Sequence, residues 1–223
     1  MATHPTAVAE SPSRGRRSSR ASGDERERAI LTTAQHLLEE RPLSEISVAD
    51  LAAGAGISRP TFYFYFPSRD AVLLTLVERM AAEAAAAIEN RSETLALLAA
   101  DPKAGLRQRL EDVYSVFASR RAVILAAAEL RATNADGREL WTRVMEGWVE
   151  QVSALVEAER ERGAAPPGPP ARELAIALVQ MNERAQHATL SGESPSLPDA
   201  AMMDVLVEIW LRAIYGSAEG QPA

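Results

Sequence analysis

Cysteine is absent from the 223 residues, and histidine occurs three times. The first absence removes disulfides, thiolate chemistry and every cysteine-based zinc or iron–sulfur site, and it suits a reducing interior. His4, His36 and His187 lie too far apart in sequence to suggest a three-imidazole metal site. There is no run of about 18 apolar residues, and MATHPTAVAESPSRGRR lacks the apolar stretch of a signal peptide. The expectation is a cytoplasmic protein with no cofactor, no metal and no membrane partner.

Positive charge is also scarce: 24 basic side chains face 31 acidic ones, for a net charge of −7. Spread evenly, that balance would repel a phosphate backbone. It is not even. Residues 1–23 carry Arg14, Arg16, Arg17 and Arg20 against Glu10 alone, and residues 1–70 hold nine groups of each sign. The acidic excess therefore belongs to residues 71–223, with 15 basic and 22 acidic groups. At 47% hydrophobic and 25% charged residues, the chain has enough apolar material for a core and lacks the marks of wholesale disorder.

Residues 1–22 are rich in Ser, Ala, Pro and Arg without a hydrophobic period, and read as a disordered basic arm. Ile30, Leu31, Ala34, Leu37 and Leu38 then follow helical spacing, with Ser22 and Glu25 placed for a capping box and Pro42 beyond the end. Ser47 caps a short second helix, VADLAAGA, with Asp50 at its third position. Ser58 caps a third, which carries Pro60 in its first turn and stops at Pro67. A long fourth helix follows Ser68 through AVLLTLVERMAAEAAAAIEN. Further helical stripes fall at about 103–118, 120–132, 138–162, 171–190 and 199–215, separated by Asp101-Pro102, Asn134–Gly137, GAAPPGPP and SGESPSLP. The fold expected is all-α with about nine helices and no internal repeat. Residues 23–67 form a helix-turn-helix unit, 68–217 a second helical domain and 218–223 a flexible tail.

Ser47–Arg69 carries the chemistry. A helix-turn-helix needs a small residue where its second helix crosses the first, a residue tolerant of positive φ in the turn, and apolar plugs that hold the angle. Ala52, Gly56 and the set Leu51, Ile57 and Phe62 meet these needs in register. Five of the chain's eleven aromatics fill positions 62–66, where strict alternation would elsewhere suggest a strand. A cap before and a proline after favour one short helix. Phe62 and Phe66 then share the core face, leaving Tyr63, Phe64 and Tyr65 toward solvent or DNA. The rings as mere completion of a small core is the plainer alternative, and the motif around them disfavours it.

In the nucleic-acid reading this helix enters a major groove. Arg59, Pro60, Thr61 and Tyr63 lie near base edges or phosphates, while the starts of the helices at Ser47, Ser58 and Arg69 suit phosphate binding. Arg14, Arg16 and Arg17 of the arm enter the adjacent minor groove or track the backbone. A helical hydrolase or metal enzyme is disfavoured, because no nucleophile motif, metal triad or Gly-rich phosphate loop is present. In the second half, Trp148 and Trp210 lie on the apolar stripes of two helices, and Asn182 and Glu183 interrupt that of a third. Such polar groups need partners, supplied either by a ligand in a cavity or by neighbouring helices in a dry core. The residues alone leave both open. Glu183 and His187 have the i, i+4 spacing of a metal or acid–base pair, but no third ligand is in view.

ISRPTFYFYFPSRDAVL resembles the TetR family of transcriptional regulators. The likeness extends through SGDERERAILTTA, ELWTRVMEGW, EAERERGAAP, MNER and EIWLRAIYG, and is most specific over residues 41–78. It implies a homodimer on a palindromic double-stranded operator, with the helices near 171–190 and 199–215 forming the dimer interface. It also implies a repressor that a small hydrophobic effector releases, with a target near a flavin-dependent monooxygenase gene; a regulator with no effector is the alternative. The branch of the family that matches best has a long hydrophobic effector tunnel. Its positions carry over to Leu110, Phe117, Met145, Trp148, Asn182, Glu183 and Trp210, with His187 a further pocket or dimer-interface residue. Leu106, Val113, Val179 and His187 depart from the family's aromatic or amide residues, which implies a changed or wider tunnel.

Overall fold

The computed structural model describes residues 23–89 and 92–217. Ten α-helices and one 3₁₀ turn account for almost all of them, and the described residues contain no strand. The helices are α1 (Gly23–Glu40), α2 (Val48–Gly54), α3 (Arg59–Tyr65), α4 (Arg69–Glu89), α5 (Ser92–Ala100), α6 (Pro102–Ala118), α7 (Arg121–Thr133), α8 (Ala135–Glu161), α9 (Ala171–Ser191) and α10 (Asp199–Tyr215). The arm with Arg14, Arg16 and Arg17, the cap at Ser22 and the tail 218–223 lie outside the described residues.

Local chemistry sets most boundaries. Ser47 and Asp50 form a reciprocal capping box at α2, with the Asp50 amide donating to the Ser47 hydroxyl at 3.1 Å and the Ser47 amide donating to the Asp50 carboxylate at 2.8 Å. Ser58 accepts from the Thr61 amide at 3.2 Å, and Asp101 from the Ala104 amide at 3.0 Å. Two expectations need correction. The helix expected from about 138 starts at Ala135, because the Asn134 side chain accepts from the Gly137 amide at 3.1 Å. The helix absent from the expected nine is α5, SETLALLAA, whose apolar residues run together without the one-sided stripe that marks an amphipathic helix.

Gly56 makes the turn between α2 and α3 at φ +65, with no atom within 4 Å of where a Cβ would stand. Conformation alone demands glycine there. At Gly54 space decides instead, since a Cβ would meet Thr33 Cγ2 of α1 at 2.4 Å.

Two cores organise the chain. The first gathers Ile30, Ile46, Leu51 and Phe62, each at most 1% exposed, with Val72, Leu73, Leu76 and Val77 of α4 and Val123, Ile124 and Ala127 of α7. Burial of an aromatic as complete as that of Phe62 contributes about 2–3 kcal/mol. The second joins α6, α8, α9 and α10 through Leu106, Val156, Leu178, Met202, Leu211 and Tyr215. Buried Glu159 accepts from the Tyr215 hydroxyl at 2.8 Å and pairs with Arg162, so its charge is compensated in place. The first core does not stop at the end of α3: α4 continues it into the second domain.

Candidate DNA-binding face and ligand cavity

α3 presents the groups expected to meet DNA. Phe62 and Phe66 are buried with ring centroids 6.1 Å apart. Tyr63 is 47% exposed and Phe64 82%. Large rings exposed at neighbouring positions leave apolar surface open on this face of α3. Tyr65 differs from the other two: it is half-buried and packs on the first core, so it braces α3 more than it faces outward. The reason is the 100° step of the helix, which carries Tyr65 round toward the side of Phe62. Arg59 and Pro60 are exposed. The Arg59 guanidinium donates to the Tyr63 hydroxyl at 3.4 Å and sits 5.9 Å from its ring centroid, which aligns the cation along the face of α3. Half-buried Thr61 shares a 2.8 Å hydroxyl contact with Ser58.

Arg69 was expected only as the start of a phosphate-friendly helix. Its Nη1 donates to three carbonyls, Leu43 at 2.8 Å, Ser44 at 3.0 Å and Ile46 at 2.9 Å, and its Nε stands 3.4 Å from Asp70. This side chain pins the start of α4 to the 3₁₀ turn before α2. The contacts span 23 to 26 residues, which no local pattern reveals. Ser47 acts as a cap, and its hydrogen bonds, followed by the charge of Arg41, hold the Asp50 carboxyl below its ordinary value.

In the second domain a cavity of about 120 Å³ lies among α4, α6, α7, α8, α9 and α10. The seven positions carried over from the resemblance line it, Leu110, Phe117, Met145, Trp148, Asn182, Glu183 and Trp210, and His187 lines it too. Leu106, Val113 and Val179 line it as well. Phe117 and Trp148 meet edge to face with centroids 6.3 Å apart. The two readings left open for the polar residues both hold in part. Asn182 accepts from the Trp210 indole at 3.0 Å and Glu183 pairs with Arg131 at 3.2 Å, yet both stay on the cavity wall.

The spacing of Glu183 and His187 does not make a pair. His187 stands 3.4 Å from Glu193, and no cluster of three metal-ligating side chains occurs among the described residues. Arg109, Gln151 and Gln186 also line the cavity and were not anticipated. Polar residues on amphipathic helices read as solvent-facing unless the packing of the whole bundle is known.

α4 belongs to both sites. Val72 and Leu73 pack in the core that holds Phe62, and Val77, Met80 and Ala81, one to two turns later, form part of the cavity wall. Its start is also tied to the α7–α8 junction, where the Asn134 side-chain amide donates to Asp70 at 3.3 Å.

Residues 30–76 match the family model of bacterial regulatory proteins, TetR family, and residues 106–216 match the model of the C-terminal domain of the transcriptional regulator EthR. The chain is 51% identical over 203 residues to the HTH-type transcriptional regulator EthR of Mycobacterium tuberculosis, covering 91% of this chain and 93% of that one. It is 47% identical over 204 residues to EthR of Mycolicibacterium smegmatis, covering 92% and 93%. Among solved structures, a TetR-family regulator from Rhodococcus aligns with a TM-score of 0.66 at 15% identity, covering 86% of this chain and 99% of that one. The FadR regulator of Bacillus subtilis aligns at 0.64 and 16%, covering 85% and 98%. No described helix is long and apolar enough to cross a membrane. With a helix-turn-helix at one end and an EthR-type helical domain at the other, the chain belongs to the TetR family of DNA-binding transcriptional regulators.

Proposed function

We propose that the chain is a homodimeric repressor that binds a palindromic operator and is released when a small hydrophobic effector fills the cavity among α4 and α6 to α10. The observation that carries this reading is the double membership of α4, which packs against the DNA-binding core at Val72 and Leu73 and walls the cavity at Val77, Met80 and Ala81. A helix is stiff over two turns, so displacement at the wall is passed to α3. Two recognition helices must stand about 34–36 Å apart, or a multiple of that, to meet successive major grooves. Spreading them costs operator affinity, provided the effector binds the spread state better. Coupling of about 1–3 kcal/mol corresponds to a 5- to 150-fold loss of affinity.

Val205 and Ile209, one turn apart on α10 and each nearly 40% exposed, supply apolar surface suited to a twofold interface. The target is a gene beside that of a flavin-dependent monooxygenase, a reading that rests on the resemblance to EthR.

Footprinting on the DNA upstream of the protein's own gene, with and without small hydrophobic compounds, tests the proposal. A protected palindrome that opens on addition of one compound is expected. No protection at moderate salt refutes the repressor reading. Protection that no compound disturbs favours a regulator without an effector, in keeping with the internal pairing of Asn182 and Glu183.

A further inference from the structure

The cavity wall carries a charge that its apolar character does not explain. Arg109, in the middle of α6, lines a space formed largely by side chains such as Leu106, Val113, Trp148 and Val179. The other ionisable groups on that wall have partners: Glu183 has Arg131 at 3.2 Å, and His187 has Glu193 at 3.4 Å. Arg109 makes neither a hydrogen bond nor an ion pair among the described residues, and the charge of Asp112, three residues on, is the one that acts on it. The Asp112 carboxylate itself accepts from Gln108 at 2.9 Å. Burial pushes the Arg109 guanidinium below its ordinary value, and an arginine nonetheless stays charged at neutral pH.

Arg109 is half-buried, and a cation partly withdrawn from water with no hydrogen bond to hold it is costly, a cost that a bound anion removes. A second polar group points the same way. Gln186 on α9 is 7% exposed, lines the same cavity and has no hydrogen-bond partner among the described residues.

We propose that the cavity takes an amphiphile with a carboxylate head and an apolar tail, the head bound by the Arg109 guanidinium and the tail lying along Phe117, Trp148 and Val179. A carboxylate matches the planar fork of arginine with two parallel hydrogen bonds, a geometry that a neutral ester or ketone cannot provide. A volume of about 120 Å³ is on the scale that takes a six-carbon molecule, so a longer tail must widen the cavity as it enters, which is the displacement the effector reading calls for. The assignment rests on the cavity being the effector site, and it adds the charge of the ligand to that reading.

The test is titration of the full chain with decanoate and with methyl decanoate, followed by calorimetry and by the fluorescence of the tryptophans on the wall. The wild type is expected to bind decanoate about tenfold or more tightly than the ester, the scale of one charge-assisted hydrogen bond. Arg109→Met is expected to erase the preference while holding the affinity for methyl decanoate within about threefold, because its chain keeps the apolar volume. The wild-type ratio needs no variant, so misfolding of R109M leaves the proposal testable.

Equal binding of the two compounds, preference for the ester, no binding of either up to solubility, or a preference that survives in R109M overturns the proposal. Operator release is measured separately. Decanoate that binds with the expected preference but leaves the operator occupied upholds the carboxylate site and refutes the effector reading. Release by methyl decanoate alone upholds the effector reading and overturns the carboxylate head.

Discussion

Arg69→Met separates a structural role from a DNA-contact role at one residue. Nη1 carries two hydrogens and faces three carbonyls at 2.8, 3.0 and 2.9 Å, so its geometry is worth about two bonds rather than three. Bonds from a charged donor contribute about 1.5–3 kcal/mol each, for a ceiling of about 6 kcal/mol. The Arg69 side chain is 36% exposed, and once it is removed, water reaches the carbonyl of exposed Ser44. Screening and rehydration reduce the expected loss to about 2 kcal/mol. Methionine keeps the apolar stem, so the loss reports hydrogen bonding more than packing.

For a chain of this size that loss is a fall in Tm of about 4–8 °C. Thermal unfolding of R69M beside the wild type measures it, and operator titrations across a salt series are run in parallel. The slope of log affinity on log salt is expected to stay unchanged in R69M, because the guanidinium is committed inside the domain. A Tm within about 1 °C of the wild type, together with a slope shallower by about 0.9, would show that Arg69 neutralises a phosphate and would refute the reasoning.

Asp50→Asn tests the capping box through pH. The folded carboxyl titrates below its ordinary value, so its contribution is present at neutral pH and is lost as pH falls through the folded value. D50N should melt below the wild type at pH 7 and match it once acid has protonated Asp50; a constant gap across that range contradicts the assignment. Gly105→Ala places a Cβ 2.4 Å from Leu98 Cα and 2.7 Å from Leu98 N, so backbone must move. Overpacking of this kind costs about 1–3 kcal/mol, read as a lower Tm, and an unchanged Tm would show that α5 moves away freely. Arg59→Ala should weaken operator binding by about 1–3 kcal/mol, with a relaxed base preference if it reads guanine and a shallower salt slope if it binds phosphate. Undiminished affinity would remove Arg59 from the interface.

What could be read from sequence was local. Ser47 with Asp50, Ser58 with Pro60, and the Gly56 turn each act within a few residues, and the structure builds all three as their spacing implies. The same locality explains the misses. α5 has apolar residues on every side, so periodicity is silent. Gly54 and Gly105 are required by neighbours on other helices, Thr33 and Leu98, which composition does not reveal. Trp148, Asn182, Glu183 and Trp210 stand out in the pattern of their helices, whereas Leu110, Phe117 and Met145 came from resemblance, and the pairing of Trp210 with Asn182 joins residues 28 apart. An arginine on an amphipathic helix reads as solvated, so nothing local sets Arg109 apart. Only the closure of α4, α8, α9 and α10 around α6 turns it inward.

The most direct test of the central claim is the spacing between recognition helices. With no native cysteine, Ala53→Cys on exposed α2 gives one spin label per chain, and two in a dimer. The distance between them is measured by pulsed electron resonance on the free protein, on the operator complex, and after saturation with whichever hydrophobic compound most raises Tm. The account predicts a single distance on the operator, a longer one with the compound, and loss of operator binding over the same concentrations. If the compound saturates the cavity, as the tryptophan fluorescence reports, while the distance and the operator affinity both stay unchanged, α4 does not couple the two sites and the account is wrong.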